Sequence, residues 1–304
     1  VSIGPTEAIT VPGPWDHRYV SANGARFHVV EYGDGPAVLL LHGFPTFWWT
    51  WRHQLESLAA AGYRAVAMDL RGYGGSDHTP HGYDPETLSA DVAGVIRSLG
   101  EPQATVIGHG WGAFIAWCMP VYQREVTRAI AAIGMPHPRA LRAAILGDRR
   151  QRRLVRYALG FQVPVLPERR LMRDDAALVE TLLRRWSGSP HWPDAEAAAR
   201  YRAAFAQWPT AHTAIEYHRW AVRSAIRSDG RRFADRMREA IDAPVLTIRG
   251  TADTAILPES FDGSADYVSA TYAAGVVDDA GHFPHEEAPA VTSAILTEWL
   301  RTLP

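Results

Sequence analysis

Short apolar runs alternate with helical periods over the first 136 positions, and the pattern returns from position 244 onward. RFHVVEYG (26–33), AVLLLHG (37–43), YRAVAMDLRG (63–72), ATVIGHG (104–110), RAIAAIGMP (128–136), PVLTIRG (244–250) and ATYAAGVVDDAG (270–281) predict strands. Several are apolar almost throughout, as expected of strands covered on both faces of a mostly parallel sheet. HQLESLAAAG, PETLSADVAGVIRSLG and GAFIAWCMPVYQ lie between them with helical spacing. This βαβ rhythm predicts a doubly wound α/β core.

The rhythm stops near His137 and resumes near Pro244. RALRAAIL, DDAALVETLLRRW, PDAEAAARYRAAFAQ and HTAIEYHRWAVRSAIR fill the interval with helical patterns, punctuated by PVLPE and SGSPHWPD. Helices inserted between two strands of one sheet predict a lid over its carboxyl edge, where such folds bind ligands. The expected division is a core of 1–136 and 231–304 with a helical lid of 137–230.

Composition narrows the partners. The chain has 304 residues and a net charge of −2, which gives no pull toward nucleic acid or an acidic membrane surface. Every basic residue is Arg, so a Schiff-base or P-loop lysine is excluded. The run GDRRQRRLVR (147–156) reads better as a solvated helix face than as a polyanion site. Cys118 is the single cysteine, which rules out an intrachain disulfide and a thiolate zinc cluster. No apolar run is long enough to span a bilayer, and VSIGPTEAITVPGPWDH lacks the basic start and apolar core of a signal peptide. A cytoplasmic protein without metal or organic cofactor is expected, and a homodimer is compatible with the sequence.

The chemistry centres on VIGHGWGAFIAW (106–117), a strand, a sharp turn and a helix with Gly110 at the crest. GHGWGA fits a loose dinucleotide fingerprint. The following strand offers no carboxylate for a ribose, however, and Trp111 would crowd a pyrophosphate. A nucleophile elbow fits better, with Gly108 and Gly112 at the two positions that must be small. The partners of an elbow occur in the required order. HGFP (42–45) follows AVLLL and sets the amide of Phe44 beside that of Trp111 as two oxyanion donors. Asp253 follows the strand PVLTI, and His282 follows the last strand. Each has a bland reading as a turn, a helix cap or a surface histidine; together, at strand ends and in order, they form a constellation. GMPHP (134–138) holds no carboxylate, so Asp253 has no rival for orienting His282.

LLLHGFPTFWWTWRHQLESLAAAGYRAVAMDLRGYGGSD (39–77), VIGHGWGAFIAW and the lid segments resemble the α/β-hydrolase superfamily, and within it the epoxide hydrolases. The likeness covers essentially the whole chain, although HGFP and RGYG also occur in related dehalogenases. It implies the α/β-hydrolase fold with an inserted helical lid, and a small apolar epoxide converted to a vicinal diol through an aspartyl ester. It implies two lid tyrosines that hold the epoxide oxygen: Tyr157 in RYALGFQVP (156–164) and Tyr217 in IEYHRWAVR (215–223), with Tyr201 as the rival for the second. His282, oriented by Asp253, would activate the water that cleaves the ester. Trp48, His42 and Pro45, in and after HGFP, are the expected substrate contacts. A haloalkane dehalogenase would more usually carry a halide-binding amide where Phe44 stands, and a fluoroacetate dehalogenase an Arg where Trp111 stands.

The family carries aspartate where this chain has Gly110. Without a side chain no ester can form there. His109 should point away from the pocket, and Cys118 lies about two helical turns on, so neither replaces it. Three readings stay open: a chain altered so that its nucleophile is gone, a non-catalytic ligand-binding member of the fold, or a member in which His282 and Asp253 activate water directly.

Overall fold

The computed structural model describes residues 4–304. Its centre is an eight-stranded sheet in the order β1-β2-β4-β3-β5-β6-β7-β8. The strands are β1 (Asp16–Ala22), β2 (Ala25–Tyr32), β3 (Ala37–Leu41), β4 (Arg64–Met68), β5 (Ala104–His109), β6 (Thr127–Ile133), β7 (Val245–Gly250) and β8 (Tyr272–Val277). β2 runs antiparallel to β1 and β4, and the remaining pairs are parallel. The mostly parallel α/β-hydrolase sheet expected from the sequence is therefore present.

β1 was not foreseen. Its DHRYVSA is largely exposed at the sheet edge, so it lacks the apolar run that marks the other strands. The turn that creates it is legible: Asn23 and Gly24 both take positive φ, 45° and 72°, as a two-residue hairpin requires.

Burial explains why the inner strands hold. All five residues of β3 are buried, with Leu39, Leu40 and Leu41 at most 1% exposed. Each such leucine contributes roughly 1.5–3 kcal/mol through lost water contact. A short helix α1 (Pro5–Ile9) precedes the sheet; α2 (Arg52–Ala60), α3 (Pro85–Ser98) and α4 (Trp111–Tyr122) connect the strands that follow. Asp84 caps α3 by accepting from the Thr87 amide at 3.0 Å, Pro85 opens the first turn, and Arg97 sits in the last turn against the helix dipole.

Between β6 and β7 the chain forms α5 (Pro138–Gly147), α6 (Arg149–Leu154), α7 (Tyr157–Gly160), α8 (Leu166–Trp186), α9 (Ala195–Phe205), α10 (Thr210–Arg223) and α11 (Ser228–Arg236). α8 is broken at Arg173–Ala176, where the backbone leaves the helical region. α11 straddles the expected boundary at 230/231, and its Phe233 packs on Trp220 of α10 and Phe114 of α4. α12 (Pro284–Glu287) and α13 (Pro289–Arg301) close the chain, α13 against α2.

Topology decides what meets at the carboxyl edge. β3 pairs with β5, β5 with β6, β6 with β7 and β7 with β8. The loops after β3, β5, β7 and β8 therefore open side by side, although 240 positions separate His42 from His282.

Candidate active site

β5 turns into α4 at Gly110, whose φ of 53° and ψ of −116° lie in a region that favours glycine. The flanking glycines answer a different need. A Cβ at Gly108 would sit 2.2 Å from the Gly112 carbonyl, and one at Gly112 would sit 2.1 Å from the Leu41 carbonyl oxygen. Strand and helix pass too closely there for any side chain. At the crest there is room. A Cβ on Gly110 would meet only the Gly43 Cα at 3.6 Å and the His282 Nε2 at 3.7 Å.

His282 and Asp253 form the pair that the sequence foresaw. The imidazole Nδ1–H donates to Asp253 Oδ2 at 2.9 Å, and Nε2 faces the crest, 3.7 Å from the place of a Gly110 Cβ. Asp253 Oδ1 accepts from the amides of Ala255 and Ile256 at 2.7 and 2.9 Å, so the carboxylate cannot swing away. Both residues are buried. His109 does turn from the crest: its Nε2 donates to the His282 carbonyl at 2.8 Å, bracing the loop from beneath, and burial holds its own titration far below the usual range.

The loop carrying His282 is bolted to the inserted helices by residues that pattern reading passed over. The His282 amide donates to the Trp186 carbonyl at 2.8 Å, at the end of α8. Glu287 Oε2 accepts from Gly188 and Ser189 amides on that side and from the Gly281 amide on the other, while Oε1 accepts from Phe283. Glu286 is buried against Arg52, the Tyr201 hydroxyl and the Trp192 indole. Tyr201 thus ties α9 to α12 and takes no place near the crest. The only sequence signal is the pair Glu286 and Glu287, four and five residues after His282, and local pattern does not separate such a pair from solvated charge.

A cavity of about 740 Å³ lies between the sheet edge and the inserted helices. Trp111, Phe114, Met135 and Ile256 form its sheet side, Leu141, Ile145, Tyr157 and His218 its helical side, and Arg149, Arg152, Arg153 and Arg156 also line it. On the side nearest the crest, His218 Nε2 accepts from the Trp111 indole at 3.2 Å and from the Tyr157 hydroxyl at 3.4 Å, while its Nδ1–H donates to the Ala214 carbonyl. Burial pushes His218 down to about 4, which keeps it the neutral acceptor those bonds need, and burial raises the Tyr157 phenol. Trp186 packs against both Tyr157 and His282, at ring separations of 5.5 and 6.1 Å, and links the cavity wall to the histidine.

Tyr217 is placed otherwise than expected. It is fully buried, donates to the Arg71 carbonyl at 2.7 Å and packs edge-on or tilted against Tyr73, Tyr83 and Trp111, so its hydroxyl is committed to the core. One residue on, a helix turns by about 100°, and His218 is the side chain that α10 brings to Tyr157. The expected contacts Trp48, His42 and Pro45 also miss the cavity wall. The Trp48 indole donates to the Ile9 carbonyl and its amide to Asp69, and His42 bridges the Gly43 carbonyl and the Leu70 amide. Both are satisfied by backbone or core groups and brace the loop after β3; Pro45 is buried with them.

The profile of the alpha/beta hydrolase family matches residues 38–295. Epoxide hydrolase A of Mycobacterium tuberculosis is 32% identical over 94% of this chain and 97% of its own length. This chain belongs to the epoxide hydrolase family. An AB hydrolase superfamily protein of Bacillus subtilis, YfhM, is 31% identical over 93% of the chain and 97% of its own length. Among solved structures, an epoxide hydrolase from an endophytic Streptomyces superposes with a TM-score of 0.83 at 29% identity, covering 96% of this chain and 97% of that one. Epoxide hydrolase A from Mycobacterium thermoresistibile gives 0.81 at 28%, covering 95% and 99%.

Two stability predictions follow from this geometry. Glycine to alanine inside a helix ordinarily stabilises, but Gly112→Ala should lower the urea midpoint by about 1–3 kcal/mol of stability, because the Leu41 carbonyl has to move; a gain would contradict the close approach. For His218, the unfolded chain takes up a proton near 6.5 and the folded chain only near 4. Its contribution is fully present above pH 6.5 and is lost as pH falls toward 4. Between pH 7 and 5 it should amount to on the order of 2 kcal/mol. His218→Phe should flatten the pH dependence by that much, and equal slopes in the two proteins would refute it.

Proposed function

We propose that this chain binds a small, largely apolar epoxide beneath the helices of 137–230 and opens it to a vicinal diol with water that His282 activates directly. The observation that carries the reading is the placing of His282: a buried residue whose Nδ1–H is committed to Asp253, so that its acceptor nitrogen Nε2 is the one aimed at the crest. Relatives named as epoxide hydrolases over nearly the whole chain support the substrate class. The family's aspartate is Gly110 here, so no ester forms between enzyme and substrate. Water at the place of that side chain lies within reach of Nε2, which takes its proton as the oxygen attacks an epoxide carbon.

The ring oxygen gains negative charge as the carbon–oxygen bond breaks. Tyr157 supplies the hydrogen bond and then the proton, its hydroxyl leaving His218 Nε2 for the substrate. His218, not Tyr217, is the partner of Tyr157 in this reading: as an acceptor it holds the phenol in place. In this reading the amides of Phe44 and Trp111, which follow β3 and β5, position the water. Phe44 offers no amide side chain for a halide, which gives a dehalogenase no support.

Direct attack by water forgoes a tethered nucleophile, so turnover should lie about 10⁴-fold below that of an aspartate enzyme. Two measurements test the reading. With an aryl epoxide such as styrene oxide, slow diol formation should vanish in His282→Ala while intact mass shows no protein adduct; diol formation that survives the substitution would sink direct activation. Gly110→Asp should raise the rate by about 10³-fold or more and produce an ester adduct. It should do so at a loss of roughly 1–3 kcal/mol of stability, since a side chain now occupies a φ of 53°. A folded variant that gains no activity on a broad epoxide panel would remove the substrate class.

A further inference from the structure

The net charge of −2 averages two unlike regions. From the start of α5 to the break in α8, residues 138–176 hold ten Arg against four acids, a surplus of six positive charges, while the rest of the chain carries a surplus of eight negative ones. We infer that this stretch, which surrounds the mouth of the cavity, docks on an anionic lipid bilayer. The docking needs no turnover; the use it serves, entry of an apolar epoxide from the bilayer, rests on the function proposed above.

The positive charge is exposed and unspent. Arg149, Arg152, Arg153 and Arg156 line the cavity and all reach solvent, so the cavity opens on this face. Among the described residues no acid pairs with Arg149, Arg153, Arg156, Arg169 or Arg170. Of the four acids in the stretch, Glu168 is taken by Arg219 of α10, Asp174 by Arg173, and Asp148 caps α6 by accepting from the Arg150 amide.

Apolar side chains are interleaved with the arginines. Of the eleven large hydrophobic side chains left exposed among the described residues, six lie in this stretch: Leu146, Tyr157, Leu159, Val163, Val165 and Leu166. Trp208, 75% exposed, joins them from the turn between α9 and α10. The surface is continuous. Leu159 sits at the mouth with the four arginines, and Ala225 borders both that mouth and the groove holding Leu146 and Arg142. Gln162 donates to the Ala158 carbonyl of the mouth, accepts from Arg223 and borders the groove of Val165, Arg169 and Trp208. Apolar side chains gathered in this way mark a surface that something covers.

The combination selects lipid. Guanidinium groups gain from the negative potential of an anionic leaflet, while their apolar stems and aliphatic neighbours enter the boundary between headgroups and acyl chains. Indole rings favour the same boundary. A second copy of this face would set arginine against arginine. A nucleic acid would offer the aliphatic side chains nothing, and the one phenol of the stretch, Tyr157, is bonded to His218 instead of free to stack on bases.

The test pellets the full chain with sucrose-loaded vesicles of phosphatidylcholine, with or without about 30% phosphatidylglycerol. Binding should be about tenfold tighter with the anionic lipid and should fall severalfold at about 0.5 M sodium chloride. Arg153→Glu with Arg156→Glu should weaken it by about tenfold. Arg169→Glu with Arg170→Glu, away from the cavity wall, should act in the same direction and guards against a folding defect in the first pair. Arg97 and Arg128 are exposed at the amino edge of the sheet, at the end of α3 and the start of β6. Arg97→Glu with Arg128→Glu changes the total charge equally and should leave binding within about twofold. Leu159→Ser with Leu166→Ser should weaken vesicle binding by about fivefold without altering retention on heparin. Equal binding with and without phosphatidylglycerol overturns the inference, as does an equal loss in the Arg97 and Arg128 variant. Tight heparin or DNA binding without vesicle binding also overturns it and makes the face a polyanion site. Each of these failures leaves the epoxide reading standing, because none of the measurements involves turnover.

Discussion

One hydrogen bond sets the character of the site: the 2.9 Å contact from His282 Nδ1 to Asp253 Oδ2. It fixes the tautomer, and with it which nitrogen is free. Because Asp253 is itself pinned by two backbone amides, the imidazole plane is determined by the loop after β7 rather than by its own loop. His109 supports the carbonyl of the same residue from below, and the amide is held by the end of α8. An imidazole restrained at nitrogen, carbonyl and amide presents Nε2 to one point only, and that point is the crest of the turn.

Three glycines in five residues share that turn, and physical chemistry separates them. Gly108 and Gly112 are obligatory, since backbone atoms stand where a Cβ would go. Gly110 is not: its neighbours leave ordinary van der Waals room, and only the positive φ favours glycine. On the function proposed above, the absent side chain relieves backbone strain at this positive φ while withdrawing a tethered nucleophile, whose proximity is worth several orders of magnitude in rate. Stability and covalent chemistry therefore pull in opposite directions at this one position.

The inserted helices are coupled to the histidine rather than merely laid over it. Glu287 gathers amides from the loop after α8 and from the loop around His282 on one carboxylate, and Glu286 joins α2, α9 and α12 through Arg52 and Tyr201. The buried Glu286 carboxylate is stable only while its donors stay in place, and the half-buried Glu287 gathers the amides around it. The end of α8 is thereby tied to the loop that carries the imidazole, and Trp186 packs against both Tyr157 of the cavity wall and His282.

The sequence by itself determined the inner strands, the elbow and the acid–histidine pair. Each rests on a local rule: continuous apolar runs for strands buried on both faces, small residues where strand and helix nearly touch, and chemistry at the ends of strands. It left the edge strand β1 unread, because an exposed strand carries little apolar signal and only its Asn23–Gly24 turn marked it. Tertiary structure alone decided between neighbours on one helix: Tyr217 and His218 are adjacent in the chain, yet the carbonyl of Arg71 claims the first and Tyr157 meets the second. It likewise turned His42 and Trp48 inward and brought the arginines of 149–156 to the cavity. Where a side chain points depends on which distant partner satisfies its polar atoms, and no local pattern encodes that partner.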